Sequence, residues 1–225
     1  MSKPHILVIP YPAQGHVIPL MELSNELVKH GIKVTFVNTD FTHKRIMKAL
    51  QEKCVVGNEI QLVSIPDGLQ DGDDRNDLGK LTEALFEVMP KKLEMLIEEI
   101  NKSLSNKITC IVADGNLGWA LEVSKKMGIR TVAFWPASAS LLILFFSLQK
   151  LIDDGTIDSD GLRLDRNSGI ITREDITYKI KQLLHDEEFQ IRALKLKESA
   201  INSVKEGGSS NKNFKNFIDW IKACV

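Results

Sequence analysis

Short apolar runs alternating with amphipathic stretches over residues 1–152 constrain this chain more than any other feature. His5–Pro10, Lys33–Asn38, Ile60–Ile65, Ile108–Ala113 and Thr131–Trp135 have the length and apolar content of buried strands. Between them, Val17–His30, Lys44–Lys53, a long stretch at 79–104, Leu117–Met127 and Ser138–Leu151 read as helices. In the first of these, Leu20, Leu23 and Leu27 form one apolar stripe. Gly31 and Gly128 stand where helix C-caps are expected, and Pro90 is expected to kink or split the long helix. The alternation predicts an α/β fold, a Rossmann-like doubly wound parallel sheet with strand order 3-2-1-4-5. In that order the first and fourth strands are neighbours. The crevice between their carboxyl ends is then built by the loops at 11–17 and 114–117.

The remainder of the chain has a different character. Residues 153–171 are polar and turn-rich, as a linker or junction would be, and residues 172–225 read as almost entirely helical. Thr172-Arg-Glu-Asp175 has the form of a capping box, followed by helices to about His185, from Glu187 to Glu206 and from Ser210 to Ala223. The expected organisation is a Rossmann-like domain at 1–152, a junction at 153–171 and a helical tail at 172–225.

Charge and cysteine content exclude several classes of function. With 29 basic and 30 acidic residues the chain has no global field for nucleic acid or an anionic membrane. Cys54, Cys110 and Cys224 are odd in number and far apart, which suits a reducing compartment and neither a disulfide framework nor a four-thiolate metal site. The apolar run Leu141–Phe146 is too short to span a bilayer, and residues 1–10 read as a strand rather than an export signal. The expectation is a cytoplasmic protein with no membrane span. The aspartates between Asp67 and Asp77 lack the twelve-residue calcium-loop pattern and are expected to form a solvated loop.

The segment most informative for chemistry is Pro10-Tyr-Pro-Ala-Gln-Gly-His-Val-Ile-Pro19. Gly15 would permit a tight strand-to-helix turn, and Pro19 suits the first turn of a helix. His16 then stands at the mouth of the first strand, beside a helix N-terminus whose positive end favours neutral imidazole, the form a general base requires. The alternative is that His16 only caps the loop. Asp114, at the end of the fourth strand, is placed to hydrogen-bond His16 and orient it, or to cap the following helix, roles that are compatible. A dinucleotide site is disfavoured: G-x-G-x-x-G is absent, and Asn38 ends the second strand where a ribose-binding carboxylate is expected.

Pro10–Pro19, Ile65-Pro-Asp-Gly-Leu69, Val112-Ala-Asp114 and Ala133-Phe-Trp-Pro-Ala-Ser138, in that order, resemble the N-terminal domain of plant family-1 UDP-glycosyltransferases. Gly161-Leu-Arg-Leu-Asp165, the helix at Ala193–Val204 and Glu206-Gly-Gly-Ser-Ser210 resemble the end of the same family. The resemblance implies one half of a GT-B fold, in which a small hydrophobic or phenolic acceptor binds the N-terminal domain. It implies a UDP-sugar as co-substrate, with no metal and no other cofactor. His16 would remove the acceptor proton in a single inverting displacement, and Asp114 would orient it. Leu117, Phe134 and Trp135 would line the acceptor wall, or serve only as core packing, and Gln14, Gly15 and Ser138 would lie near the sugar or diphosphate. The family's donor signature, Trp-x-Pro-Gln, His-Cys-Gly-Trp-Asn-Ser and Asp-Gln, does not occur in this sequence. The resemblance therefore implies an acceptor half whose donor segment is missing near Gly161 and whose transfer activity is impaired, binding a UDP-sugar only if a donor domain is supplied. The rival expectation is a non-catalytic fragment that associates through its open cleft face.

Overall fold

The computed structural model describes residues 3–53, 60–154, 157–158, 161–162, 173, 177, 181 and 187–223. Five parallel strands, β1 (His5–Ile9), β2 (Lys33–Thr39), β3 (Ile60–Ile65), β4 (Cys110–Asp114) and β5 (Arg130–Phe134), form one sheet in the order β3-β2-β1-β4-β5. That is the expected doubly wound order. The helices between them are α1 (Gln14–Lys29), α2 (Asp40–Lys53), α3 (Leu78–Asn101) and α4 (Gly118–Lys126). A further helix, α5 (Ala139–Asp153), precedes a short antiparallel ladder of β6 (Ile157–Asp158) and β7 (Gly161–Leu162), and α6 (Glu187–Val204) and α7 (Ser209–Lys222) follow.

The chain divides into two compact units, Met1–Pro136 with Ile218–Val225, and Ala137–Phe217. In the first unit the core lies on both faces of the sheet. Leu7, Ile9, Val37, Ile111 and Ala113 pack with Leu81, Leu85, Met89, Leu93 and Ile97 of α3 and with Trp119, Ala120 and Val123 of α4. Alternate strand residues, Ile6, Val8, Phe36 and Val112, are equally buried and serve the opposite face, where α1 buries Leu20, Ser24 and Leu27. Ile218 and Ile221 of α7 are buried in this unit, and the Arg130 guanidinium lies 3.6 Å from the centroid of the Trp220 ring. In the second unit, α5 buries none of its side chains, leaving Ile143, Phe145 and Phe146 exposed. The expected cap at Thr172, the helix to His185, Cys54, Cys224 and most of the 153–171 stretch lie outside the described residues.

Several boundaries differ from the sequence reading, each for a local reason. Helix α1 begins at Gln14, three residues early, because the chain turns sooner: Ala13 N–H bonds the Tyr11 carbonyl at 2.8 Å, and Ala13 is then the extended N-cap. Gly15 is thus a helical residue with negative φ rather than the turn glycine, and Pro19 falls inside the helix instead of its first turn. Helix α2 starts at Asp40, where Thr39 Oγ1 accepts the Thr42 N–H at 3.2 Å. Helix α3 is continuous through Pro90, carried by a buried stripe with a spacing of four. The end of α1 follows expectation: Gly31 has φ of 76°, its N–H bonds Val28 O, and Ile32 N–H bonds Leu27 O, a Schellman closure.

His5 opens β1 as a buried imidazole. Its Nδ1 lies 2.8 Å from the Asn106 carbonyl, which can only accept, so Nδ1 carries the proton. Nε2, 2.8 Å from Thr35 Oγ1, then accepts the hydroxyl proton. Burial holds the His5 pKa below its usual value against the pull of the Asn106 carbonyl, and the nearby Lys33 cation lowers it further. A group whose folded pKa is depressed contributes stability above its unfolded pKa of about 6.5 and loses it as pH falls. Urea midpoints should therefore drop more steeply between about pH 7 and pH 5 in the native chain than in His5→Gln. Equal slopes would contradict this assignment.

Candidate active site

The sheet register places the two chemistry-bearing residues together. β1 and β4 are neighbours with Ile9 opposite Ala113, so Asp114 lies level with the residue that leaves β1. The chain then turns through Tyr11–Ala13 and enters α1, bringing His16 into its first helical turn. His16 Nδ1 lies 2.7 Å from Asp114 Oδ2, with Asp114 fully buried and the His16 side chain 24% exposed. An ionised carboxylate only accepts, so the Nδ1 proton is fixed on that side. Nε2 is left with its lone pair and no partner among the described residues.

The other Asp114 oxygen, Oδ1, accepts the Asn116 N–H at 3.0 Å, and the Asp114 carbonyl accepts the Leu117 N–H at 2.9 Å. The carboxylate thus turns the β4–α4 loop with one oxygen and holds the imidazole with the other. The N-cap of α4 is Leu117, which makes no side-chain cap. His16 does not cap its own loop through the side chain; its backbone N–H does so, bonding Ala13 O at 2.9 Å. Tyr11 packs its ring against His16, centroids 5.3 Å apart, and its hydroxyl reaches Thr82 Oγ1 of α3 at 3.0 Å. Tyr11 therefore links the imidazole to α3.

The remaining expected site residues are dispersed. Phe134 pairs with Asp114 in the sheet and its carbonyl takes the Gly115 N–H at 2.8 Å. Gly115 lies beside the Trp135 ring, where a Cβ would make only ordinary contact at 3.6 Å from Trp135 Cε3. Both aromatic residues are half-buried at the carboxyl edge of the sheet, whereas Leu117 is 1% exposed and belongs to the core cluster. Gln14 and Gly15 occupy the first turn of α1, whose leading N–H groups have no helical partner. Ser138 belongs to the second unit, where its Oγ caps α5 by accepting the Leu141 N–H at 3.2 Å.

Sequence reading did not anticipate the cavity beside the start of α1. About 620 Å³ in volume, it lies between Pro12–Gln14, the start of α2 at Thr39–Thr42, and the loop after β3. Asp71, Asp74 and Asp77 of that loop are exposed, as expected of a solvated stretch, and Asp67 is the exception. Asp67 is buried, and Arg75 grips it with Nε to Oδ2 at 2.8 Å and Nη2 to Oδ1 at 3.1 Å. The Asp67 contact also raises the Arg75 pKa, and Lys80 with the Gln70 N–H holds the Asp73 carboxyl below its usual value. A lone arginine inside a run of aspartates was the available signal. No three His, Cys, Asp or Glu side chains gather at metal-binding spacing among the described residues, and no described helix is long and apolar enough to cross a membrane.

No protein-family model matches the chain. Among curated proteins it is 54% identical over 167 residues to UDP-glycosyltransferase 83A1 of Arabidopsis thaliana, covering 72% of this chain and 36% of that protein. It is 36% identical to (R)-mandelonitrile beta-glucosyltransferase of Prunus dulcis, over 68% of this chain and 33% of the relative. Among solved structures it superposes on a UDP-glucose: anthocyanidin 3-O-glucosyltransferase in complex with UDP, with a TM-score of 0.59, 26% identity, and coverage of 73% and 36%. Os79 from O. sativa, solved with U2F and trichothecene, shares the fold at a TM-score of 0.53 and 22% identity, with coverage of 68% and 37%. The chain spans about a third of the length of each of these proteins.

Proposed function

The chain belongs to the plant UDP-glycosyltransferases, and from that premise we propose that it binds a small acceptor and removes its proton for transfer of a sugar from UDP. The observation that carries this reading is the 2.7 Å contact between His16 Nδ1 and Asp114 Oδ2, which leaves Nε2 as the free basic atom. In the proposed step the acceptor hydroxyl gives its proton to His16 Nε2. Its oxygen forms the new bond to the anomeric carbon, and UDP departs with the electrons of the broken carbon–oxygen bond, inverting that carbon. Asp114 balances the imidazolium that results. Such a base contributes a factor of ~10²–10⁴ in rate. The first-turn N–H groups at Gln14 and Gly15 are the groups we assign to the sugar–diphosphate side. Phe134 and Trp135 are assigned to an apolar or phenolic acceptor body, whereas Leu117 is part of the core. No metal ion or further cofactor has a part in this scheme.

Transfer also requires the donor to be held in line, and positioning of two reactants is worth roughly 7–11 kcal/mol. The donor signature absent from the sequence would supply that, so we propose that this chain binds acceptor yet transfers sugar poorly without a donor-binding partner. Calorimetry with 4-methylumbelliferone, run beside product mass with UDP-glucose, tests both parts. Binding without product is the expected result. Product formation that requires His16 would sustain the base and overturn the impairment; product formed equally by His16→Ala would overturn the assignment of the base.

A further inference from the structure

We propose that α5 is a self-association surface, pairing antiparallel with α5 of a second copy of this chain about a two-fold axis. The inference stands apart from the reading of His16 and uses only the second unit.

A helix with no charged side chain over residues 139–149 belongs in an interior, yet α5 buries none of its side chains. Leu141, Leu144, Phe145, Leu148 and Ile152 recur at helical spacing and form one stripe about 100° wide. Each of the five is between 37% and 58% exposed. The neighbouring polar groups need no outside partner. Ser147 Oγ donates to the Ile143 carbonyl at 2.8 Å, and Gln149 Nε2 donates to Asp153 Oδ1 at 2.9 Å, both within the helix. The stripe is therefore suited to an apolar surface.

Three observations select a second copy as its occupant. First, the stripe is close to palindromic. Leu141 and Ile152 stand equally far from the midpoint between Phe146 and Ser147, and so do Phe145 and Leu148. A two-fold axis at that midpoint sets Leu141 of one copy against Ile152 of the other, and Phe145 against Leu148, so the face complements itself. Second, the area suffices. At their observed exposure the five side chains present on the order of 500 Å² per copy, and a pair removes about 1,000 Å² from water, the lower bound for a specific interface. Third, the charge pattern argues against a membrane surface. A helix lying on a bilayer carries Lys and Arg along its polar face, whereas the one basic residue of α5 is Lys150, close to Asp153. Ile143, 66% exposed, lies on the far side of the helix from the stripe and supplies an internal control.

Light scattering after size exclusion, over a range of loading concentrations, reads the mass of the full native chain, Leu144→Glu, Leu148→Glu and Ile143→Glu. The native chain is expected to rise from 25.3 kDa to twice that mass and to stop there. Glutamate in the stripe would be buried without a partner, so each stripe variant is expected to weaken dimerisation at least about tenfold. Ile143→Glu is expected to leave it unchanged. Either stripe variant carries the test if the other loses its melting transition. A native monomer at every concentration overturns the proposal, as does a mass that grows without limit. A dimer that survives the stripe variants, or that Ile143→Glu weakens equally, overturns the assignment to this face. Flotation of the native chain with phosphatidylcholine vesicles, lost in Leu148→Glu, would put a membrane in place of the second copy and overturn it as well.

Discussion

Asp114→Asn is expected to cost nearly as much base function as the loss of His16 itself. The substitution preserves shape: asparagine still offers Oδ1 to the Asn116 N–H, 3.0 Å away in the native chain, so the β4–α4 turn should persist. What changes is the proton inventory. The carboxylate oxygen 2.7 Å from Nδ1 can only accept, which keeps the imidazole proton on Nδ1. An amide NH₂ at that place donates instead, and the favoured tautomer then carries its proton on Nε2, where the acceptor proton should arrive. The imidazolium also loses its fully buried counter-charge. The expected loss in acceptor activation is ~10²–10⁴. It is checked by the fraction of bound 4-methylumbelliferone present as phenolate, which should fall to that of His16→Ala while the melting transition hardly moves. A phenolate fraction equal to the native one would mean that Asp114 only builds the turn.

Pro90→Ala is expected to stabilise the first unit, by about 2 kcal/mol. Pro90 sits well inside α3, a helix of 24 residues, and has no N–H to give to the carbonyl four residues back, that of Phe86. The helix nevertheless runs on, because Leu85, Met89, Leu93 and Ile97 are all buried against the sheet. Packing thus overrides a local penalty of ~3 kcal/mol, and alanine should recover most of it. The extra freedom that alanine gives the unfolded chain returns about 0.4–1 kcal/mol of the gain. Urea unfolding measures the difference directly. A lower midpoint would show that the backbone around Phe86 is adapted to proline.

The sheet was legible because its signal is periodic and repeated. Five apolar runs spaced by amphipathic stretches leave few ways to bury both faces, and the strand order follows from right-handed crossovers. Adjacency of His16 and Asp114 came with that order, since it makes β1 and β4 neighbours. What escaped was set by contacts between residues distant in sequence. The early start of α1 depends on the Tyr11–Ala13 turn, and the persistence of α3 depends on a sheet that no local window contains. The cavity escaped for the same reason. Asp67 and Arg75 are eight apart, in a loop whose composition reads as solvated until one guanidinium is seen to gather its carboxylate and carbonyls. Leu117, which the sequence left between the acceptor wall and ordinary core packing, lies in the core cluster.

The central claim is that His16 Nε2 is the proton acceptor for a bound hydroxyl. Its most direct test is a pH titration of bound 4-methylumbelliferone, following phenol and phenolate by excitation fluorescence in the native chain and in His16→Ala. The account predicts that the native protein lowers the apparent pKa of the bound phenol by a unit or more, about tenfold in ionisation, and that the variant binds the probe without this shift. An identical titration in the two proteins, with binding intact in both, would contradict it.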